Sequence, residues 1–316
     1  IANWNKANTI TSSVAFVTTG FSVTGSGGAA GDPHIKFANG GTADFRGSHR
    51  HSYVFVSSPG YQFAPHFQEI DFWYRSPNGV MQLVHGSFMT RAYWRVKVPS
   101  SGEELLIATS AMKKGEADVL VLPPISGAKA LSMKPWLSMK PWQVATFGSV
   151  KVSTRMLSVS VKTDSWQVNV TARPIYGLVP PFLNETHDHG RWEQMQKRLD
   201  IEVRGSFPQL DAHGIIGQSY KDSTVRNGKL DEYGALDTPE LINSDGTGPE
   251  MWTKAQAEGA IEGVYTDYRL SGPFATSFKF SQYDRQPSAA AKKGAMRTAS
   301  TSETEGHAPP PRKKEL

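Results

Sequence analysis

The sequence contains no cysteine in 316 residues. Disulfides, thiolate metal sites and cysteine nucleophiles are therefore excluded, and the core alone must hold the fold. A chain of this size can bury enough surface to do so. Long apolar runs are also missing: nothing approaches the ~18 residues of a membrane-spanning helix. Gly-x-Ser-x-Gly, the phosphate-binding Walker loop, the dinucleotide glycines and His-Glu-x-x-His are all absent. No enzyme class is signalled, and Glu103-Glu104 and Asp231-Glu232 are expected to be solvated pairs. A strong charge of one sign is lacking too. The net charge is +5, and residues 287–316 hold six cations against three carboxylates. The remainder is nearly balanced, so no nucleic-acid face and no nucleic-acid partner are expected.

Turn formers and aromatics are plentiful. The chain has 29 glycines and 20 prolines, with 10% aromatic residues. Helical periodicity is scarce, with the clearest short helix at Gly190–Lys197 and a second at residues 249–260. Alternation of apolar and polar residues is frequent and marks half-buried strands. It runs through Tyr61–Ala64, Asp71–Tyr74, Val80–His85, Tyr93–Val98 and Ala117–Leu122, and through three segments between Gly148 and Tyr176. Phe274–Phe280 reads as a closing strand. The expected fold class is all-β with minor α: an antiparallel, sandwich-like arrangement with a disordered tail. Four regions are expected. Residues 1–30 carry N-terminal strands and a Gly/Ser joint at Gly25–Gly31. Residues 31–222 form the main β domain, 223–286 an extension packed on it, and 287–316 a disordered basic tail. A tandem copy, Leu131–Trp136 followed by Leu137–Trp142, lengthens one loop; its functional reading is an exposed Trp-Lys-Pro contact surface.

The most informative stretch is Gly31-Asp32-Pro33-His34-Ile35-Lys36-Phe37, then Gly40-Gly41-Thr42-Ala43-Asp44-Phe45-Arg46-Gly47. Pro33 fixes its own φ and pushes Asp32 towards an extended backbone. Asn39-Gly40-Gly41 signals a hairpin turn. Asp32-Pro33 is also the one chemically loaded bond. The Asp32 carboxyl can attack its own carbonyl, with the Pro33 nitrogen as leaving group and His34 as general acid. The alternative is a tight structural turn.

This stretch, with the following Tyr53-Val54-Phe55-Val56, resembles the opening of von Willebrand factor type D domains. Ala212-His213-Gly214-Ile215-Ile216-Gly217-Gln218-Ser219-Tyr220 stands where such a domain ends. There Gly214 and Gly217 match, while His213 and Ile216 replace two cysteines. The second stretch is also similar to the C-terminal region of inter-alpha-trypsin inhibitor heavy chains and to root-cap-type proteins. The resemblance implies a type D-like β domain. It also implies self-cleavage, or ester formation with a glycan, at Asp32, Pro33 and His34. A calcium ion near Gln218 is implied as well, with Asp222, Asn227 and Asp231 adding oxygens; Tyr220 replaces a family asparagine. Calcium takes six to eight oxygens.

The resulting expectation is a non-enzymatic structural or adhesive component of an extracellular, cell-surface or endomembrane assembly. Its partners would be other proteins of a matrix, or glycans, and oligomers are expected. A carbohydrate-binding module is the second expectation, with Trp73, Tyr74, Tyr93 and Trp94 as an aromatic platform. Of two glycosylation sequons, Asn169 lies in a strand, leaving Asn184 as the candidate. His49-x-His51 and His187-x-His189, near His34, His66 or His85, form a weaker candidate zinc or copper set. The first residue, Ile1, without an apolar leader, fits a processed form or a fragment. The ending Lys-Lys-Glu-Leu resembles an endoplasmic-reticulum retention signal except at its second residue.

Overall fold

Alternating burial along consecutive strands sets the architecture. The computed structural model describes residues 23–75, 79–124, 137–175, 196–207, 211–231, 243–244, 248 and 250–288. Its strands are β1 (Val23–Ala30), β2 (His34–Lys36), β3 (Thr42–Asp44), β4 (Ser52–Tyr53), β5 (Val56–Ser58), β6 (Tyr61–Arg75), β7 (Met81–Lys97), β8 (Glu104–Ser110), β9 (Ala117–Leu122), β10 (Leu137–Met139), β11 (Val144–Phe147), β12 (Val150–Thr154), β13 (Ser158–Lys162), β14 (Trp166–Pro174), β15 (Lys197–Phe207), β16 (Met251–Trp252) and β17 (Arg269–Leu270). They form two mostly antiparallel sheets. One has eight strands in the order β11-β12-β13-β14-β15-β1-β2-β3. The other has nine, with β10-β9-β8-β7-β6-β4-β17 as its path, β16 beside β7 and β5 beside β6. The fold is the expected all-β sandwich.

The inner faces follow from period two. Along β14, Trp166, Val168, Val170 and Ala172 are buried while the residues between them are only partly so. Opposite them, Phe63, Trp94, Val96, Leu105 and Ile107 fill the second sheet's inner face. The Trp166 indole N–H donates to Ser58 Oγ at 2.8 Å and its ring stacks near Tyr61, tying the two layers. A second aromatic knot joins Phe45, Tyr53 and Phe67 edge to face, with centroids 5.2–5.6 Å apart. Such pairs add about 0.5–1.5 kcal/mol each beyond their buried area.

Three sequence expectations change. Gly25–Gly31 is not a flexible joint: Val23–Ala30 is β1, paired with β15 over seven registered positions and with β2 over three. Its glycines serve close approach. A Cβ on Gly28 would collide with the Ile201 carbonyl, and one on Gly25 or Gly27 would press on Tyr220 or Ile216. Phe274–Phe280 is not a strand. It crosses the face of the second sheet, where Arg95 donates to the Phe274 carbonyl and Gln62 to the Ala275 carbonyl. Alternating phenylalanines were needed there for packing, not pairing. Residues 250–260 hold the short strand β16 and turns in place of a helix. The Gly190–Lys197 helix falls outside the described residues except for Gln196 and for Lys197, which opens β15. Residues 289–316 of the tail also lie outside them.

Gly28→Ala should lower unfolding free energy by about 1–3 kcal/mol, the usual cost of overpacking. Ser26→Ala, on the same strand, should change it by no more than about 0.5 kcal/mol. Its hydroxyl has no hydrogen-bond partner among the described residues. Urea denaturation of both variants checks this; equal tolerance would mean that β1 behaves as a linker.

Candidate functional site

The Asp32–Pro33 bond lies in the turn between β1 and β2, bracketed by the Ala30–His34 pair. Gly31, Asp32 and Pro33 are all buried. The turn reaches across to the second sheet, where Asp32 Oδ1 accepts the Ser87 backbone N–H at 2.9 Å. The Pro33 carbonyl accepts the Phe45 N–H. The candidate nucleophile is thus also the anchor that docks one sheet's turn on β7.

His34 points the other way, its side chain 43% exposed. The Asn39–Gly41 turn sets the β2–β3 register so that His34 faces Asp44. His34 Nδ1 donates to Asp44 Oδ1 at 2.6 Å, and Asp44 is almost fully buried. The other carboxylate oxygen of Asp44 accepts the Asp231 N–H at 2.7 Å. Asp231 is itself fixed, its Oδ1 accepting the backbone N–H groups of Lys254 and Ala255. The hydrogen bond to Asp44 leads the causes that raise the His34 pKa above 6.5, with burial opposing and Asp32 and Asp231 adding. The imidazolium therefore persists towards neutral pH, the form a general acid needs. An open concavity of about 450 Å³ lies beside it, lined by His34, Lys36, Thr42, Asp44, Leu230 and Asp231.

The second landmark is interior. Ile215 and Ile216 are fully buried in the same cluster as Phe45. Gly214 adopts φ +103°, and a side chain there would press on the Phe55 carbonyl. His213 is 3% exposed and stacks on Phe280 at 4.5 Å. Its Nδ1 accepts the Gly214 N–H, which makes Nε2 the protonated nitrogen, donating to Glu262 at 3.1 Å. Burial is the main cause holding its pKa below 6.5.

The four residues named for calcium are split between two places. Gln218 and Asp222 line a small cleft that also holds Lys221 and Arg226. Asp231 lines the His34 concavity, and Asn227 Oδ1 accepts the Thr42 N–H on β3. Gln218 Oε1 accepts the Glu262 N–H, and Asp222 Oδ1 the Thr224 N–H. Each of the four places at least one oxygen on a backbone N–H. No cluster of three or more metal-ligating side chains occurs among the described residues. His49, His51, His66 and His85 bond to Glu69, His49, Ser52 and Asp71 respectively; His187 and His189 lie outside the described residues.

The aromatic platform is not assembled. Trp94 is fully buried against Phe63, and alternation sends Tyr93 to the opposite face, against Phe274. Trp73 pairs with Leu83 and Tyr93 with Ala64, roughly 30 Å apart along β6. Among the described residues the exposed tryptophans are Trp142 and Trp252 instead, 70% and 52% accessible. Trp142 closes the second copy of the duplication, while the first copy lies outside the described residues. Trp252 stacks on His85 at 4.0 Å and lies beneath the Arg46 guanidinium. Asn169 is on β14 and donates to Glu202, whereas Asn184 lies outside the described residues. No helix of the described residues is long and apolar enough to cross a membrane. Neither the models of known protein families nor the curated proteins give a match to this chain.

Asp44→Asn should bring the His34 titration midpoint, followed by NMR, down from above 6.5 to that value or lower. The pair's contribution to stability should be full in mild acid and vanish as pH rises through the folded-state midpoint, because the folded protein binds the proton more tightly. An unmoved midpoint would remove Asp44 as the cause.

Proposed function

We propose that this chain is a non-enzymatic structural or adhesive component of an extracellular, cell-surface or endomembrane assembly, built on a type D-like domain. The observation that carries this is the rigid presentation of Trp252. Half of its surface is open, yet the ring is clamped by His85 and Arg46 at the long β6–β7 ribbon. An exposed aromatic already held in place loses little entropy on binding, and Trp beside Arg is the composition of interface anchors. The ribbon supports the same reading. Its strands are 15 and 17 residues long, and beyond His66 they pair with each other and with β16 among the described residues. Trp142 offers a second exposed ring. Sedimentation velocity should show concentration-dependent self-association, or co-sedimentation in cross-linked source material, that Trp252→Ala weakens. A monomer in both settings would overturn the proposal.

A second reading is favoured by the His34–Asp44 pair: scission at Asp32–Pro33. The Asp32 carboxyl would bond to its own carbonyl carbon, the outward-facing His34 would pass a proton through water to the Pro33 nitrogen as the C–N bond breaks, and water would open the cyclic anhydride. Mass spectrometry after incubation near pH ~5.5 should give pieces of 32 and 284 residues. Asp32→Asn should stop the reaction and His34→Ala slow it. Equal cleavage of the unfolded chain would leave the motif as a turn.

A further inference from the structure

The cleft that brings Gln218 and Asp222 together is lined by cations as well. It lies between the Phe37–Asn39 turn and the segment from Gln218 to Asp222, with Arg226 and Glu262 on its walls and a volume of about 80 Å³. That is the space of two to three waters. The walls are tied together: Ala38 N–H donates to Ser219 Oγ, Asn39 Nδ2 to the Thr224 carbonyl, and Gly41 N–H to Asn39 Oδ1. The carboxylates at its rim each hold a hydrogen bond elsewhere, while Lys221 and Arg226 also act on both through space, so that Arg285 supplies the excess positive charge. Glu262 accepts the His213 proton and Asp222 caps the Thr224 N–H. The cations are not so committed. Lys221, Arg226 and Arg285 make no side-chain hydrogen bond and no ion pair within 4 Å among the described residues. Lys221 is half-buried at the end of the Gly217–Tyr220 turn.

We propose that this cleft binds one sulfate group of a sulfated glycan, with Lys221 and Arg226 in its lining and Arg285 near enough to act on Lys221. A tetrahedral oxyanion matches the site because it offers several oxygens to cations on different segments. A planar carboxylate offers two, and bidentate pairing suits a single arginine. Two observations agree with an anion. Lys221 has its pKa lowered, first by burial, with Glu262 opposing and Arg226 and Arg285 adding to the fall. The same Lys221 and Arg285 also depress His213, so their field converges on one region. An arriving anion would relieve that mutual repulsion in a wall that is already built, so little ordering is required. The choice of a glycan as the source rests on the adhesive reading above; the oxyanion geometry does not.

The test is calorimetric titration of the full chain with a heparin-derived hexasaccharide and its fully desulfated counterpart, with inorganic sulfate and inorganic phosphate in parallel. The expected result is saturable binding of the sulfated hexasaccharide and weak binding of both inorganic anions, with the desulfated sugar inert. Lys221→Met and Arg226→Gln should each weaken the hexasaccharide by about tenfold, the scale of a lost charge-assisted hydrogen bond. Lys151→Gln, an exposed cation on β12, should change it less than about twofold. Absence of hexasaccharide binding overturns the proposal. So does undiminished binding by the variants, or binding of phosphate without the sulfated sugar. Arg226 is exposed and Lys221 half-buried, and a thermal melt of each variant reports folding directly. The titration reads the heat of ligand binding and sedimentation reads assembly, so failure of either leaves the other result untouched.

Discussion

The wedge from Ala212 to Tyr220 is what the two sheets depend on. Its backbone pairs with the second sheet: Ser57 and His213 exchange hydrogen bonds, and Val54 and Phe55 accept from Ile215, Ile216 and Gly217. Its far end belongs to the first sheet, since the Tyr220 hydroxyl donates to the Val203 carbonyl at 2.8 Å. Between these ends, Ile215 and Ile216 are fully buried, worth about 1.5–3 kcal/mol each. A segment inserted this deeply needs a partner strand with almost no side chains. That requirement accounts for Gly25 and Gly27 on β1, where Tyr220 and Ile216 come against the backbone, while Gly28 makes room for the Ile201 carbonyl of β15. The glycine-rich strand and the distant wedge are two halves of one contact.

The same geometry gives two histidines opposite electrostatic settings. His34 sits at the surface end of a buried carboxylate and holds its proton. His213 sits in the wedge, desolvated between Phe280 and Tyr268, and resists protonation. By linkage, His34 favours the fold in acid and loses its effect as pH rises through its raised midpoint. His213 favours the fold above 6.5 and loses its effect as pH falls below that value. The glutamate at His213 Nε2 narrows its shift without reversing it, because desolvation comes first among the causes. Stability is thereby supported from both sides of neutrality.

Much of this was legible in the sequence, and the failures have physical causes. Period-two alternation located most of β6 to β9 and β12 to β14, because those strands each present one face to the core. The stretches at Gly31–Gly47 and Ala212–Tyr220 stood out by residue motif instead of periodicity. Composition misled at Gly25–Gly31, where absence of side chains means close packing in a sheet and flexibility in a linker; only the partner distinguishes them. It misled again at Phe274–Phe280, where alternate burial arises across a sheet face without strand pairing. The Tyr93-Trp94 platform failed on a rule the sequence does contain, since neighbours on a strand face opposite ways. The His34–Asp44 pair was within reach too. With the hairpin turn at Asn39–Gly41 recognised, Lys36 opposite Thr42 places His34 opposite Asp44. The Lys221 cleft was not legible, because it joins residues separated by more than 180 positions through the wedge.

The Asp32–Pro33 turn has a structural role that the proposed scission would have to work against. Asp32 is needed at the turn because its carboxylate accepts the Ser87 N–H and so fixes the turn on β7. That hydrogen bond stabilises the ionised carboxylate and weakens it as a nucleophile. Burial of Pro33 also limits the access of the water that must open an anhydride. Both effects restrain the reaction while the turn stays docked. Release of the Ser87 contact would remove that hydrogen bond and open the turn to water, with Asp44 still raising the His34 pKa. The proposed scission would therefore be coupled to the seating of the turn on β7, because the Asp32–Ser87 hydrogen bond that docks the turn also engages the carboxylate the reaction would use.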